Sequence, residues 1–168
     1  MKYNYLNIYN NLIKLTRNKI LYINLEKDDI FSDRLIFFFL HFALFLKHFK
    51  GSIKANNLQE LFDFVIRQIE LSIREIGYGD VSVNKKMKEL NKILYDILLK
   101  IKPNFKKGSV ISFNQLIFVK YFEELDGVDN LKYNEIKSYF SNFYNYCSKL
   151  SLDNILKEVI NFKNNGSS

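Results

Sequence analysis

"FSDRLIFFFLHFALFLKHF", Phe31 to Phe49, decides the architecture. Between Leu35 and Leu46 every residue is apolar except His41. That run is about 12 residues, well short of the roughly 20 that a membrane-spanning helix needs. Arg34 and Lys47 bound it. A helix that is hydrophobic all round is enclosed by protein or by lipid. The length selects protein, so the segment reads as a central core helix, with Ser32 as its expected N-cap.

Outward from this helix the hydrophobic period stays helical, with no sustained alternation of the kind a strand shows. Upstream, a helix is expected over Tyr5 to Thr16, with Leu6, Ile8, Tyr9, Leu12, Ile13 and Leu15 apolar. A short piece from Lys19 to Asn24 then leads to the acidic turn "EKDD". Downstream, Asn57 and Glu60 have capping-box spacing. Leu58, Leu61, Phe62, Val65, Ile66, Ile69, Ile73 and Ile76 form one stripe, and Gly77 sits where helices commonly take a left-handed cap. The next helix is expected to start between Ser82 and Asn84. Met87, Leu90, Leu94, Ile97, Leu98 and Ile101 would face inward, and Pro103 would end it.

Further helices are expected over Phe113 to Leu125, from about Leu131, and over Leu152 to Asn161 with Ser151 as cap. Tyr133, Ile136, Phe140, Phe143, Cys147 and Leu150 mark the stripe of the second of these. The expectation is an all-α, single-domain bundle of about seven helices over residues 1–168. Within it, 30–101 carry the core signature, 112–162 the C-terminal helices, and 163–168 a flexible tail.

Composition narrows the function only partly. The chain has 168 residues, 48% of them hydrophobic, enough for a sizeable core without disulfides or metals. Its net charge of +7 fits an anionic partner, nucleic acid or an acidic membrane surface. The charge also fits an AT-rich coding sequence, since Lys, Asn, Ile, Phe and Tyr all abound. Only four basic residues are arginines: Arg17, Arg34, Arg67 and Arg74. Duplex readers favour arginine at guanine, and the aromatics here fall at core spacing, so nucleic acid is not expected. Cys147, the single cysteine, excludes an intramolecular disulfide and reads as a small buried hydrophobe. The N-terminus lacks an apolar h-region and a small-residue cleavage site, so a start at Met1 in a cytosol is expected.

The glycine-bearing stretch "REIGYGDVSVNKKMKEL", Arg74 to Leu90, raises a phosphate-loop question. It follows a helix rather than a strand, and Ser82 stands in place of the third glycine, so nucleotide binding is rejected. A tight connector explains Gly77 and Gly79 through positive φ, and Asp80 or Ser82 through capping. It does not explain Lys85, Lys86, Lys88 and Lys92, since cations near a helix N-terminus oppose its dipole; a solvated lysine face in an AT-biased chain is the alternative to a binding role. His41 and His48 are seven residues apart, wider than zinc-helix spacing, and the acidic turn lacks the pattern of a calcium loop. No catalytic residue, cofactor site or metal site follows from the sequence, and an enzyme is not expected.

The same stretch with its preceding helix, "LSIREIGYGDVSVNKKMKEL", resembles the signature of the ubiquinol–cytochrome c chaperone family. Leu71, Arg74, Glu75, Gly77, Gly79, Asp80, Ser82, Lys85 and Lys88 carry the resemblance. The Phe-rich helix with Arg34 and His41, and "LQELFDFVIRQIE", are similar to the family as well. Asn84 and Asp33 depart from it, standing where glycine is common. The resemblance implies a helical, non-catalytic assembly chaperone. It would bind newly made cytochrome b for the respiratory bc1 complex (complex III). A bacterial member would work as a monomer in the cytoplasm, peripheral at the inner face of the cytoplasmic membrane. On this reading the partner-binding residues are Arg74, Gly77, Gly79, Asp80, Lys85, Lys86, Lys88 and Lys92, together with Arg34 and His41, which serve scaffolding first and client contact second. An anionic membrane surface is a further expected partner. The alternative is a basic helical module that binds nucleic acid or a membrane surface.

Overall fold

The computed structural model describes residues 4–23, 30–102, 112–113, 120–122, 131–151 and 162. Among these, six helices run in the order α1 (Tyr5–Thr16), α2 (Ile20–Ile23), α3 (Phe31–Phe49), α4 (Ala55–Glu75), α5 (Asp80–Lys100) and α6 (Leu131–Ser148). The fold is all-α, as expected, and most of the helix expected over Phe113 to Leu125 lies outside the described residues. Two-residue strands β1 (Ile101–Lys102) and β2 (Ser112–Phe113) pair antiparallel between α5 and α6. The helix expected from Phe113 therefore does not begin there: Phe113 pairs with Ile101. The expected helix at Leu152–Asn161 and the tail lie outside the described residues.

Helix α3 is the axis, as its composition demands. Every side chain from Leu35 to Leu46 is buried. Helices α1, α5 and α6 pack against it, and α4 packs on α1 and α5. Leu61, Val65, Ile69 and Ile73 recur at four-residue steps on α4; Val83, Met87, Leu90, Leu94 and Ile97 form the inward stripe of α5. On α6, Tyr133, Ile136, Tyr139, Phe140, Phe143, Tyr144 and Cys147 are buried. Each fully buried large side chain contributes about 1.5–3 kcal/mol relative to exposure. Aromatic rings lock the layers. Phe37 stacks on Phe122 at 4.9 Å, and Phe42 meets Phe62 of α4 at 6.2 Å. Burial pushes the Cys147 thiol up to about 12, so it stays a protonated packing group at neutral pH.

Two expected caps are replaced by tertiary or backbone bonds. Helix α3 starts one residue before Ser32: the Arg34 N–H already reaches the Ile30 carbonyl at 3.1 Å, and extended Ile30 is the cap residue. Helix α4 starts at Ala55, which puts Asn57 inside the first turn. Glu60 does not reach back to close a capping box. Its carboxylate accepts the Tyr5 hydroxyl from α1 at 3.0 Å.

His41 is the one polar residue in the apolar run, and it is 0% exposed. Nδ1 lies 2.7 Å from the Phe37 carbonyl and Nε2 lies 2.9 Å from the Tyr139 hydroxyl. A carbonyl only accepts, so Nδ1 carries the proton; Nε2 then accepts from the Tyr139 O–H. Phe140 and Phe143 turn their rings toward the imidazole at 4.9 Å each. Burial lowers the imidazole pKa to about 4, against a smaller opposing effect of the Phe37 carbonyl.

The unfolded chain binds a proton on His41 below about pH 6.5 that the folded chain refuses until about pH 4. The neutral ring's stabilisation is thus complete above pH 6.5 and is lost as the pH falls toward 4, on the order of 3 kcal/mol in total. Urea unfolding is expected to show about 2 kcal/mol less stability at pH 5 than at pH 7. His41→Gln should flatten most of that slope, and Tyr139→Phe should cost about 1–3 kcal/mol at pH 7. Equal midpoints at the two pH values would contradict the buried neutral imidazole.

Candidate functional site

The α4–α5 junction is built from four residues, Ile76 to Gly79. The Gly77 N–H bonds back to the Arg74 carbonyl at 2.9 Å, with Gly77 at φ +100°. Only glycine adopts that backbone without steric cost, so this position fulfils its expectation. Gly79 does not: its φ is −71°, ordinary extended backbone, and it serves as the N-cap of α5 without a side chain. Helix α5 consequently begins at Asp80, earlier than the expected start at Ser82 to Asn84.

Asp80 does not cap the helix either. Its carboxylate accepts from Arg74 Nη1 across the turn, while Arg74 Nε and Nη2 both donate to Glu70 Oε1, at 3.0 and 2.8 Å. Glu70, then Asp80, raises the guanidinium pKa above its ordinary value. Two carboxylates thus neutralise Arg74, and the trio braces the elbow from the solvent side. Arg74 and Asp80 are brought together, but with each other and not into an open cationic patch.

The four lysines divide into two groups. Lys86 is half-buried, pairs with Glu89 at 3.6 Å, and lines a groove. Lys85, Lys88 and Lys92 are exposed on the outer face of α5 and form no ion pair among the described residues.

That groove has a volume of about 520 Å³. Its walls come from the start of α3, the end of α4 and the flank of α5, with Phe31, Ile73, Ile76, Tyr78, Leu90 and Ile93 as the main apolar contributors. Ile76 and Tyr78 are 54% and 47% exposed, so the elbow presents apolar side chains at the rim. Tyr121 closes one side. Its hydroxyl donates to Asp96 at 2.9 Å, and Asp96 is also gripped by Lys100 at 2.8 Å and Lys120 at 2.9 Å. Led by the Lys100 hydrogen bond, these contacts hold the Asp96 carboxyl down to about 2.

A smaller cavity of about 190 Å³ lies on the α1 side and shares Phe31 and Leu35 with the groove. Arg34 lines it beside Tyr9, Arg17 and Ile69. His41 is absent from both spaces, because its ring is enclosed between α3 and α6 and beyond reach of a partner docking on the folded bundle. The residues that sequence reasoning missed are Phe31, Ile76 and Tyr78. The available signal was apolar side chains placed at a helix start and inside a glycine turn, where burial on the core stripe ends.

No group of three or more His, Cys, Asp or Glu side chains that could hold a metal occurs among the described residues. No helix there is long and apolar enough to cross a membrane.

A family model described as ubiquinol-cytochrome C chaperone matches residues 24–109, just over half of the chain. The match contains α3, α4, the elbow and α5. No curated protein and no solved structure matches the chain.

The two glycines should respond oppositely to substitution. A Cβ at either meets nothing within 4 Å, so only backbone conformation counts. Gly77→Ala is expected to lower stability by about 1–2 kcal/mol. Gly79→Ser, which adds a capping hydroxyl at a compatible φ, should leave stability unchanged or raise it by a few tenths of a kcal/mol, up to about 1. Denaturant unfolding of the two variants checks this.

Proposed function

The chain belongs to the ubiquinol-cytochrome C chaperone family, and from that premise we propose that it holds newly made cytochrome b until the polypeptide enters the bc1 complex. Membership carries a chaperone role in assembly. The client's identity, the monomeric state and the place of action, the cytoplasmic face of a bacterial membrane, are parts of the proposal.

The observation that carries it is the apolar groove beside the elbow, inside the family-matched region. An unassembled membrane protein exposes apolar segments that aggregate unless shielded. A groove of about 520 Å³, lined by Phe31, Ile73, Ile76 and Ile93 among others, has room for several large apolar side chains. Exposed Ile76 and Tyr78 extend the apolar surface beyond the groove, and contiguous exposed apolar area is unusual unless it binds something. Lys86 on the lip supplies a cation for the polar loops that flank such segments. The Arg74–Asp80–Glu70 brace keeps the elbow in shape, so its residues act as positioning groups. Binding and release suffice for this role, and no chemical step is assigned to any residue.

The basic composition favours nucleic acid less. Single-strand binders stack bases on exposed aromatic rings, whereas the phenylalanines of α3 and α6, Phe31 excepted, line the core.

A photo-crosslinker at position 31 of the tagged chain, at the start of α3 on the groove wall, is expected to capture cytochrome b from cells. The double variant Ile76→Asp, Tyr78→Ser should retrieve at least about tenfold less, because it strips two large apolar side chains from the rim, while circular dichroism remains unchanged. Equal retrieval by the double variant would remove the groove from the site. Absence of cytochrome b from the parent's capture, with normal bc1 levels in a deletion strain, would remove the chaperone reading itself.

A further inference from the structure

Helix α5 has a third face, distinct from the core stripe and the groove. Val81, Lys85, Lys88, Lys92, Tyr95 and Leu99 follow one another at alternating four- and three-residue steps. At about 100° per residue they stay within about 40° of one line, and they span about 27 Å. All six are exposed; Val81 and Leu99 reach 85% and 76%. Tyr95 leans partly on Phe62 of α4 at 5.9 Å and turns the rest of its ring outward. The stripe is therefore straight, apolar at both ends and cationic in the middle.

The distribution of charge on α5 shows what this face lacks. The helix carries three carboxylates, Asp80, Glu89 and Asp96. Each is engaged by a cation off the stripe: Asp80 by Arg74, Glu89 by Lys86, and Asp96 by Lys100 and Lys120. Glu70 on the neighbouring helix is held by Arg74. Of the three acids on α5, Glu89 lies beside the stripe, and none of the three makes an ion pair with Lys85, Lys88 or Lys92 among the described residues. The first of these lysines lies within two turns of the helix N-terminus, where a cation gains nothing from the dipole. An external anion is the missing complement.

We propose that this outer face of α5 lies flat on an anionic lipid bilayer, the lysines at the headgroup phosphates and Val81, Tyr95 and Leu99 entering the interface. A bilayer fits better than an acidic polypeptide or RNA for two reasons. Exposed aliphatic side chains at both ends of the stripe gain from lipid contact but not from a phosphate backbone. Tyrosine, with an apolar ring and a polar tip, suits the interfacial layer. The inference rests on the chaperone reading for its purpose, which is to hold the groove beside an emerging membrane client. The binding itself is a property of the chain alone.

The test is sedimentation of the full chain with phosphatidylcholine vesicles, with and without phosphatidylglycerol. Binding is expected only with the anionic lipid. It should fall as salt shortens the screening length from about 10 Å at 0.1 M to about 3 Å at 1 M. Each lysine near such a surface contributes about 1 kcal/mol, so Lys85→Gln, Lys88→Gln, Lys92→Gln together should lower the partition coefficient on the order of a hundredfold. Val81→Ser with Leu99→Ser should lower it roughly tenfold. Circular dichroism of both variants establishes that the bundle is intact. Parental binding by the triple-lysine variant overturns the proposal. So does a parent chain that ignores anionic vesicles, including one that binds RNA or an acidic polypeptide instead. Capture of cytochrome b from detergent extract by the same triple variant separates the two ideas. Client capture without vesicle binding by the parent removes the lipid face and leaves the chaperone; vesicle binding without client capture does the reverse.

Discussion

Everything in the molecule depends on enclosing one helix from all sides. Helix α3 offers no polar face, so it is stable only as the hub of other helices. Its neighbours supply amphipathic stripes to match. The single polar group in the hub sets the tightest condition. An imidazole without partners at that depth would cost several kcal/mol. The Phe37 carbonyl and the Tyr139 hydroxyl satisfy both ring nitrogens, and the second of these ties α6 to α3 in one rotational setting. Dispersion forces would tolerate several packings of phenylalanine against phenylalanine. A directed hydrogen bond between two buried groups far apart in the chain tolerates few.

The same enclosure creates the site. The first turn of α3 emerges at Phe31, beside the end of α4 at Ile73 and Ile76. The elbow must cross this gap, and it does so with Ile76 and Tyr78 instead of the polar residues that ordinarily fill a turn. A bundle optimised only for stability would fill about 520 Å³ of groove with a larger side chain or close it with a shorter connection. Retaining the space forgoes dispersion attraction on every lining atom. Arg74, Glu70 and Asp80 meet outside this space and do not occupy it.

Architecture was legible because apolar periodicity is a local property. The stripes on α4, α5 and α6 follow from steps of three and four, and the burial of Leu35 to Leu46 follows from the absence of any polar face. The cap assignments at Ser32 and at Asn57 with Glu60 were not legible: α3 starts one residue before Ser32, and Glu60 bonds Tyr5. A side chain that is chemically able to cap is also able to bond elsewhere, and only the tertiary arrangement decides. Tyr5 stands 55 residues from the Glu60 it engages. Nothing within a window around either residue announces that pairing. Gly79 shows the limit from the other direction, since a residue permitted every conformation carries no information about which it takes.

The lysine cluster shows how much of a functional surface hides behind one compositional label. In sequence, Arg74, Lys85, Lys86, Lys88 and Lys92 look like one basic shoulder. In three dimensions the helical turn and the placement of carboxylates divide them into three kinds of cation. Arg74 is consumed by the elbow, Lys86 is tethered to Glu89 at the lip of the groove, and Lys85, Lys88 and Lys92 stand without an internal counter-ion among the described residues. Net charge cannot make this division, because it counts every ammonium alike. What separates them is geometry: a residue's angle around α5 decides which carboxylate lies within reach. The groove lies roughly a third of a turn around the helix from the lysine stripe. One rigid rod therefore presents an apolar recess in one direction and a cationic line in another, and the two share no residue of α5.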